Sequence, residues 1–319
     1  MIDVRTLSRH VALLAVVTLA TGIAAPAHAW NDAGHMAVAY VAYQQLTPAT
    51  RDRVKQLLKL NPDYRGWLPK GTAVKDRDRI RFMIASTWAD DIKRKGGYQD
   101  DGSANGDRPD GASSRQNIGY ADHLRHKYWH FVDMPFTRDG TPLPTVPRPN
   151  ARTQIAAFRA VLASTKPDPL KSYDLVWLLH LVGDVHQPLH CATRVRQADA
   201  NGDNGGNGVA VQCAACPEKL HAFWDGAFAS DSASPSAVIA AAQALPAPDP
   251  VLAAKSDVGD WIAESFQAAQ QKVYVAPVGA DAGPFSLSKA YANRARAVAN
   301  VRIALAGARL ANVLNTELK

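Results

Sequence analysis

Cysteine is scarce in this sequence: three in 319 residues, at Cys191, Cys213 and Cys216. That rules out a small fold stapled by several disulfides. Cys213 and Cys216 stand as one C-x-x-C pair, without the second pair of a zinc ribbon and without a thioredoxin-like βαβ setting. The expectation is a local structural disulfide, with Cys191 left as a thiol. Strand-like alternation is scarce too: only Tyr128 to Val132 and Val209 to Gln212 offer short candidates, which argues against a sheet-based fold. No internal repeat is visible, so a solenoid is excluded. Long apolar runs are absent after residue 23. The one run, Val11 to Ile23, is broken by Thr18, Thr21 and Gly22, and it falls short of the roughly 20 apolar residues of a membrane span. Arg5 and Arg9 precede it and Ala27-His28-Ala29 follows it, the pattern of a secretory signal peptide cleaved after Ala29. Residues 1–29 are therefore read as a signal peptide and 30–319 as one mature domain, soluble and periplasmic or secreted. Acid is not in excess either: 36 Lys and Arg against 29 Asp and Glu give a net charge of +7. A basic surface favours polyanionic partners, but a moderate net charge is a weak argument.

What the sequence does have is helix. Ala-rich stretches with apolar residues at three- and four-residue spacing recur at about 33–46, 50–60, 151–165, 172–187, 236–244, 251–273 and 287–315. The Gly-, Asn- and Asp-rich segments 96–119 and 196–208 read as loops, and the Pro-rich segments 135–149 and 245–250 as connectors. The fold class expected is mainly α, a single multi-helix domain with a minor β element.

Chemistry concentrates in Trp177-Leu-Leu-His180-Leu-Val-Gly-Asp184-Val-His186-Gln-Pro188-Leu-His190. His180 and Asp184 are four apart on a helix and share a face. Burying such groups unpaired costs several kcal/mol, so they need a partner. Pro188 stops the helical ladder and lets the chain turn His190 towards a neighbouring site. His221 and Asp225 repeat the four-residue spacing. Two such pairs suit zinc, which takes imidazole nitrogen and carboxylate oxygen at about 2.0–2.2 Å. A helix-surface contact is the bland alternative for either pair alone. Of the ten histidines, His10 and His28 leave with the signal peptide, and His123 and His126 lie in a polar stretch that reads as surface. Cleavage would also give Trp30 a free α-amine of pKa about 7.7–8.0, able to ligate a metal together with its own carbonyl oxygen.

Trp30…Gly34-His35, Trp88-Ala89-Asp90, Trp129-His130-Phe131-Val132-Asp133, His180…Asp184…His186-Gln-Pro-Leu-His190, Asp203-Asn-Gly-Gly-Asn207 and Leu220-His221…Trp224-Asp225, in that order along nearly the whole chain after residue 29, resemble the S1/P1 nuclease family. The resemblance implies the zinc phospholipase C/nuclease-like fold and three zinc ions per chain. One would be held by Asp90, His130, His180 and Asp184. A close neighbour would take Trp30, His35 and the other oxygen of Asp184. A third would be held by His190, His221 and Asp225, with His186 left as a supporting residue. It implies an endonuclease acting on RNA and single-stranded DNA to give 5′-phosphorylated products, with 3′-nucleotidase activity as a further possibility. Zinc would bring the pKa of water towards 7, and Asp90 is expected to orient the attacking water. Phe131 would stack a base and Asp133 accept its hydrogen bonds, with Arg138, Asn204 and Asn207 as further substrate contacts. Two features depart from the pattern: Gly226 follows Asp225 where fungal members carry a polar side chain, and after the His130 motif only Arg138 offers a phosphate contact. Two alternatives share parts of this reading. A zinc phospholipase C would share metals and fold but need an exposed apolar approach surface; a non-catalytic zinc-binding protein would need closed coordination at all sites.

Overall fold

The computed structural model describes residues 30–102, 108–214, 216–230 and 232–318. The expected signal peptide, 1–29, lies outside the described residues. Eleven α-helices are found among the described residues: α1 (Asp32–Gln45), α2 (Pro48–Leu58), α3 (Arg77–Ala85), α4 (Trp88–Arg94), α5 (Ala151–Leu162), α6 (Asp168–Asp184), α7 (Leu220–Asp225), α8 (Pro235–Gln243), α9 (Pro250–Ala253), α10 (Val258–Ala268) and α11 (Lys289–Glu317). Four short strands pair in parallel twos, β1 (Met134–Thr137) with β2 (Ala192–Val195) and β3 (Val211–Gln212) with β4 (Phe285–Ser286). The fold is mainly α with a minor β element, as the sequence implies.

The helix starts follow ordinary capping chemistry. The Asn31 side chain accepts from Gly34 N and Thr47 from Thr50 N, with Pro48 behind it; Asn150 and Thr153 form a reciprocal capping box at α5. Helix α6 is the axle. Every residue from Ser172 to Asp184 is buried, because α1, α2, α4, α5 and α11 surround it. That enclosure explains its apolar run from Leu175 to Leu179: there is no solvent face to be polar. Helix α11 lies on α1, and the close approach depends on Gly307, where a Cβ would sit 2.5 Å from Val41.

Four sequence expectations need correction. The 251–273 helix is broken into α9, α10 and a π-helical turn, Ala269–Val273; Asp257 caps Gly259 N at the restart. The Tyr128–Val132 strand is instead a 3₁₀ turn, Lys127–His130, with the strand displaced to Met134–Thr137. Left-handed backbone at His126 (φ 44°) and Asp133 (φ 49°) brackets the turn and prevents extension. Helix α11 is, by length and composition, apolar enough to cross a membrane. Its most apolar stretch is 72% buried inside the fold and carries buried Arg302 and Arg309, which identifies a core helix. Finally, His126 is fully buried, not a surface residue. Its ring stacks on Trp129 at 3.5 Å, and its nitrogens meet Asp101 at 2.6 Å and Asp122 at 2.8 Å. Burial disfavours its charge, but hydrogen bonds to those two carboxylates outweigh that and raise its pKa. The expected Cys213–Cys216 disulfide is present, and Cys191 is a buried thiol whose pKa burial pushes up to about 12.

Candidate metal centre

Four elements bring the five residues of the first cluster together. Asp90 comes from the first turn of α4, His130 from the end of its 3₁₀ turn, His35 from α1, and His180 and Asp184 from successive turns of α6. All five side chains are buried. His130 Nδ1 lies 3.0 Å from both Asp184 Oδ2 and His180 Nε2, and 3.7 Å from Asp90 Oδ1. On the other side, Asp184 Oδ1 lies 3.3 Å from His35 Nε2 and 3.4 Å from His180 Nε2. Asp184 therefore reaches all three histidines, Oδ2 facing His130 and Oδ1 facing His35 and His180. The His35 and His180 rings stack at 3.8 Å. Such contact depends on Gly183, where a Cβ would come within 2.8 Å of His35 Nδ1. Trp30 is fully buried beside them, and Gly34 makes room for it: a Cβ there would meet Trp30 Cβ at 2.6 Å.

The second group is built around the turn after α6. His190 Nδ1 donates to the His130 carbonyl at 2.8 Å, which ties the two groups together through the backbone. His221 Nδ1 donates to the Gly205 carbonyl at 2.7 Å. With both Nδ1 atoms committed as donors, the lone pair of each neutral ring is on Nε2, and the two Nε2 atoms face each other at 3.1 Å. Asp225 Oδ2 lies 3.7 Å from His221 Nε2, while Gln187 Nε2 donates to Asp225 Oδ1 at 2.7 Å. Burial, and then His221, hold the His190 pKa well below the usual histidine range. Two neutral imidazoles aiming lone pairs at each other repel, and a cation between them turns that repulsion into ligation. Ligand atoms of His190, His221 and Asp225 lie within 4.8 Å of one another, as do those of His35, Asp90 and His180 and those of His130, His180 and Asp184. Imidazole and carboxylate without thiolate is a donor set zinc accepts.

The protonation states agree. Burial lowers the pKa of His35 and of His130 well below the usual value, leaving them neutral as metal ligands must be. Burial, and then Asp90, push Asp184 well above the carboxylate range. A divalent cation reverses that last effect by supplying the missing positive charge. His186 is not in either group: its Nδ1 donates to Val182 O at 2.7 Å and its Nε2 meets Arg309 at 2.9 Å.

A cleft of about 620 Å³ opens over His130, His190 and His221, and Phe131, Asp133, Asn204 and Asn207 line it. Arg138 is not among its lining residues. Strand β1 carries it past the cluster, where its exposed guanidinium donates to the Gln270 carbonyl at 3.3 Å. Among the cleft residues that the sequence reading missed is Lys93. It stands one turn after Asp90 on α4, its ammonium 2.7 Å from Asp90 Oδ1, and only 6% of its side chain is exposed. The i,i+3 spacing from Asp90 was the available signal. No curated protein matches the chain. The family profile described as S1/P1 Nuclease matches residues 30–319. With that match over nearly the whole sequence, and a buried His/Asp cluster at its centre, the chain belongs to the S1/P1 nuclease family of hydrolytic nucleases.

Proposed function

We propose that this chain is a three-zinc endonuclease that cleaves RNA and single-stranded DNA to 5′-phosphorylated products and also removes 3′-phosphates from nucleotides. The observation that carries the reading is the pair of Nε2 atoms of His190 and His221 facing each other at 3.1 Å, each with its Nδ1 bound to a backbone carbonyl. Asp90, His130, His180 and Asp184 would hold one zinc, Trp30, His35 and Asp184 a second, and His190, His221 and Asp225 a third. The third group has three protein ligands and borders the cleft, as a catalytic rather than a structural site does. Bound zinc supplies a nucleophile at neutral pH and neutralises phosphate charge.

The chain's own residues do the rest. Asp90 orients the water for attack at phosphorus. Lys93, held by Asp90, places a positive charge at the cleft floor against the developing phosphorane charge. Phe131 offers a face for base stacking, worth about 1–3 kcal/mol and tolerant of sequence. Asp133 accepts hydrogen bonds from the base, and Asn204 and Asn207 contact sugar or phosphate. Export is part of the same proposal. Removal of residues 1–29 frees the Trp30 amine, and a chain with even one residue before Trp30 would lack that ligand and most activity. The reading is tested by stripping metal from the chain that starts at Trp30 and assaying RNA, single-stranded and double-stranded DNA before and after zinc is returned. Loss and recovery of activity on RNA and single-stranded DNA is expected; full activity of the stripped protein would refute it.

A further inference from the structure

His190, His221 and Asp225 are held by very different means. Each histidine is oriented by its own Nδ1 bond to a backbone carbonyl. Asp225 stands on a short helix of six residues, and its carboxylate can rotate about two bonds. The fully buried Gln187 amide sits against it. Its Nε2 donates to Asp225 Oδ1 at 2.7 Å, and its Oε1 accepts the Leu189 N–H at 2.5 Å.

The Gln187 backbone is itself fixed. The preceding carbonyl, of His186, accepts from Arg302 Nε at 3.1 Å, and the His186 ring accepts from Arg309 at 2.9 Å. Both arginines are pinned by Glu264 of α10, at 3.0 Å and 2.8 Å. A chain of hydrogen bonds therefore runs from α10 and α11 through His186 and Gln187 to one oxygen of Asp225. The two oxygens have different neighbours: Oδ1 accepts from the Gln187 amide, and Oδ2 lies 3.7 Å from His221 Nε2.

We propose that Gln187 is a positioning residue for the metal at His190, His221 and Asp225, fixing which oxygen of Asp225 faces the ion and preventing the carboxylate from rotating away. This rests on the reading of those three residues as metal ligands. Partners of this kind typically change metal affinity by about 10–100-fold when lost. The matching in shape of Gln187→Met removes the amide without opening a cavity, and Gln187→Asn keeps an amide but withdraws it from Asp225 by one methylene.

The experiment is zinc retention, measured as metal per chain during titration with a chelator, on the chain starting at Trp30. Wild type is expected to release its zinc in separable steps. In Gln187→Met one step, and only one, moves to at least tenfold lower chelator, while the circular dichroism of the metal-free protein is unchanged. Cobalt substitution gives a second readout, since a shift in the visible absorption of one ion reports an altered ligand field at that site. A residue that merely stabilised the fold would lower the melting temperature and weaken every step together. Should Gln187→Met fail to fold, Gln187→Asn carries the test with the same expectation. Unchanged retention in a folded variant overturns the proposal. A wild-type chain from which His190→Ala removes no zinc would overturn the metal assignment instead, so the two failures are distinguishable.

Discussion

Gly183→Ala sets two physical effects against each other at the heart of the cluster. Gly183 lies inside α6 between His180 and Asp184, with ordinary helical backbone. Helix propensity alone favours alanine there by about 0.5–1 kcal/mol. The added methyl, however, would sit 2.8 Å from His35 Nδ1 and 3.1 Å from its Cε1. Ordinary contact begins near 3.4 Å, so the ring must retreat by about 0.6 Å. It cannot do so freely, because the ring is stacked on His180 at 3.8 Å. Overpacking of this kind costs about 1–3 kcal/mol, which outweighs the propensity gain. The displacement also exceeds the roughly 0.2 Å tolerance of metal–ligand distances. The expected result is a variant that folds with a melting temperature lower by a few degrees and loses zinc from the His35 side of the cluster, while the His190 group keeps its ion. Metal analysis and calorimetry of the apo and zinc-loaded forms check it. A Gly183→Ala protein with full zinc and a raised melting temperature would refute the argument that His35 packs against this helix as a ligand.

Three further outcomes follow from the same geometry. Lys93→Met should lower kcat about 100-fold or more while zinc content stays at the wild-type level, measured by steady-state hydrolysis of a single-stranded oligonucleotide. Arg138→Ala should leave kcat/KM on the same substrate within about twofold, the range of a solvated surface change, because its guanidinium is engaged with Gln270 outside the cleft. His126→Asn should destabilise the metal-free protein by about 3 kcal/mol or more, since it leaves Asp101 and Asp122 buried without their cation. The folded pKa of His126 is raised, so its contribution is fully present below the unfolded value of about 6.5 and fades as pH rises through the folded one. The gap in melting temperature between wild type and variant should accordingly narrow on the alkaline side; a gap that widened there would contradict the sign.

The candidate metal residues were legible in the sequence because local spacing encodes them. His180 with Asp184 and His221 with Asp225 are helical neighbours, and Trp30, His35, Asp90 and His130 sit in short aromatic motifs. The structure brings all but the Trp30 amine into measured proximity. What escaped was whatever depends on distant partners. His126 looked like surface because its stretch is polar, yet its polar neighbours are its buried partners, one of them 25 residues away at Asp101. Arg138 followed the right motif, but the parallel pairing of β1 with β2 carries it beyond the cleft. Lys93 was overlooked because a lysine on a surface-like helix turn gives no sign that Asp90 will draw it inward. Helix α3 lacks clean periodicity, since Arg77, Arg79 and Arg81 interrupt it. The roles of Gly183 and Gly34 are legible only once the rings they accommodate are in place.

The central claim is that these side chains converge on metal ions, and anomalous diffraction at the zinc edge, on crystals of the chain starting at Trp30, tests it most directly. The account predicts three peaks per chain: two on opposite sides of Asp184, and one between the Nε2 atoms of His190 and His221. A structure at full zinc occupancy elsewhere, with His190 and His221 still facing each other and no anomalous peak between them, would contradict it.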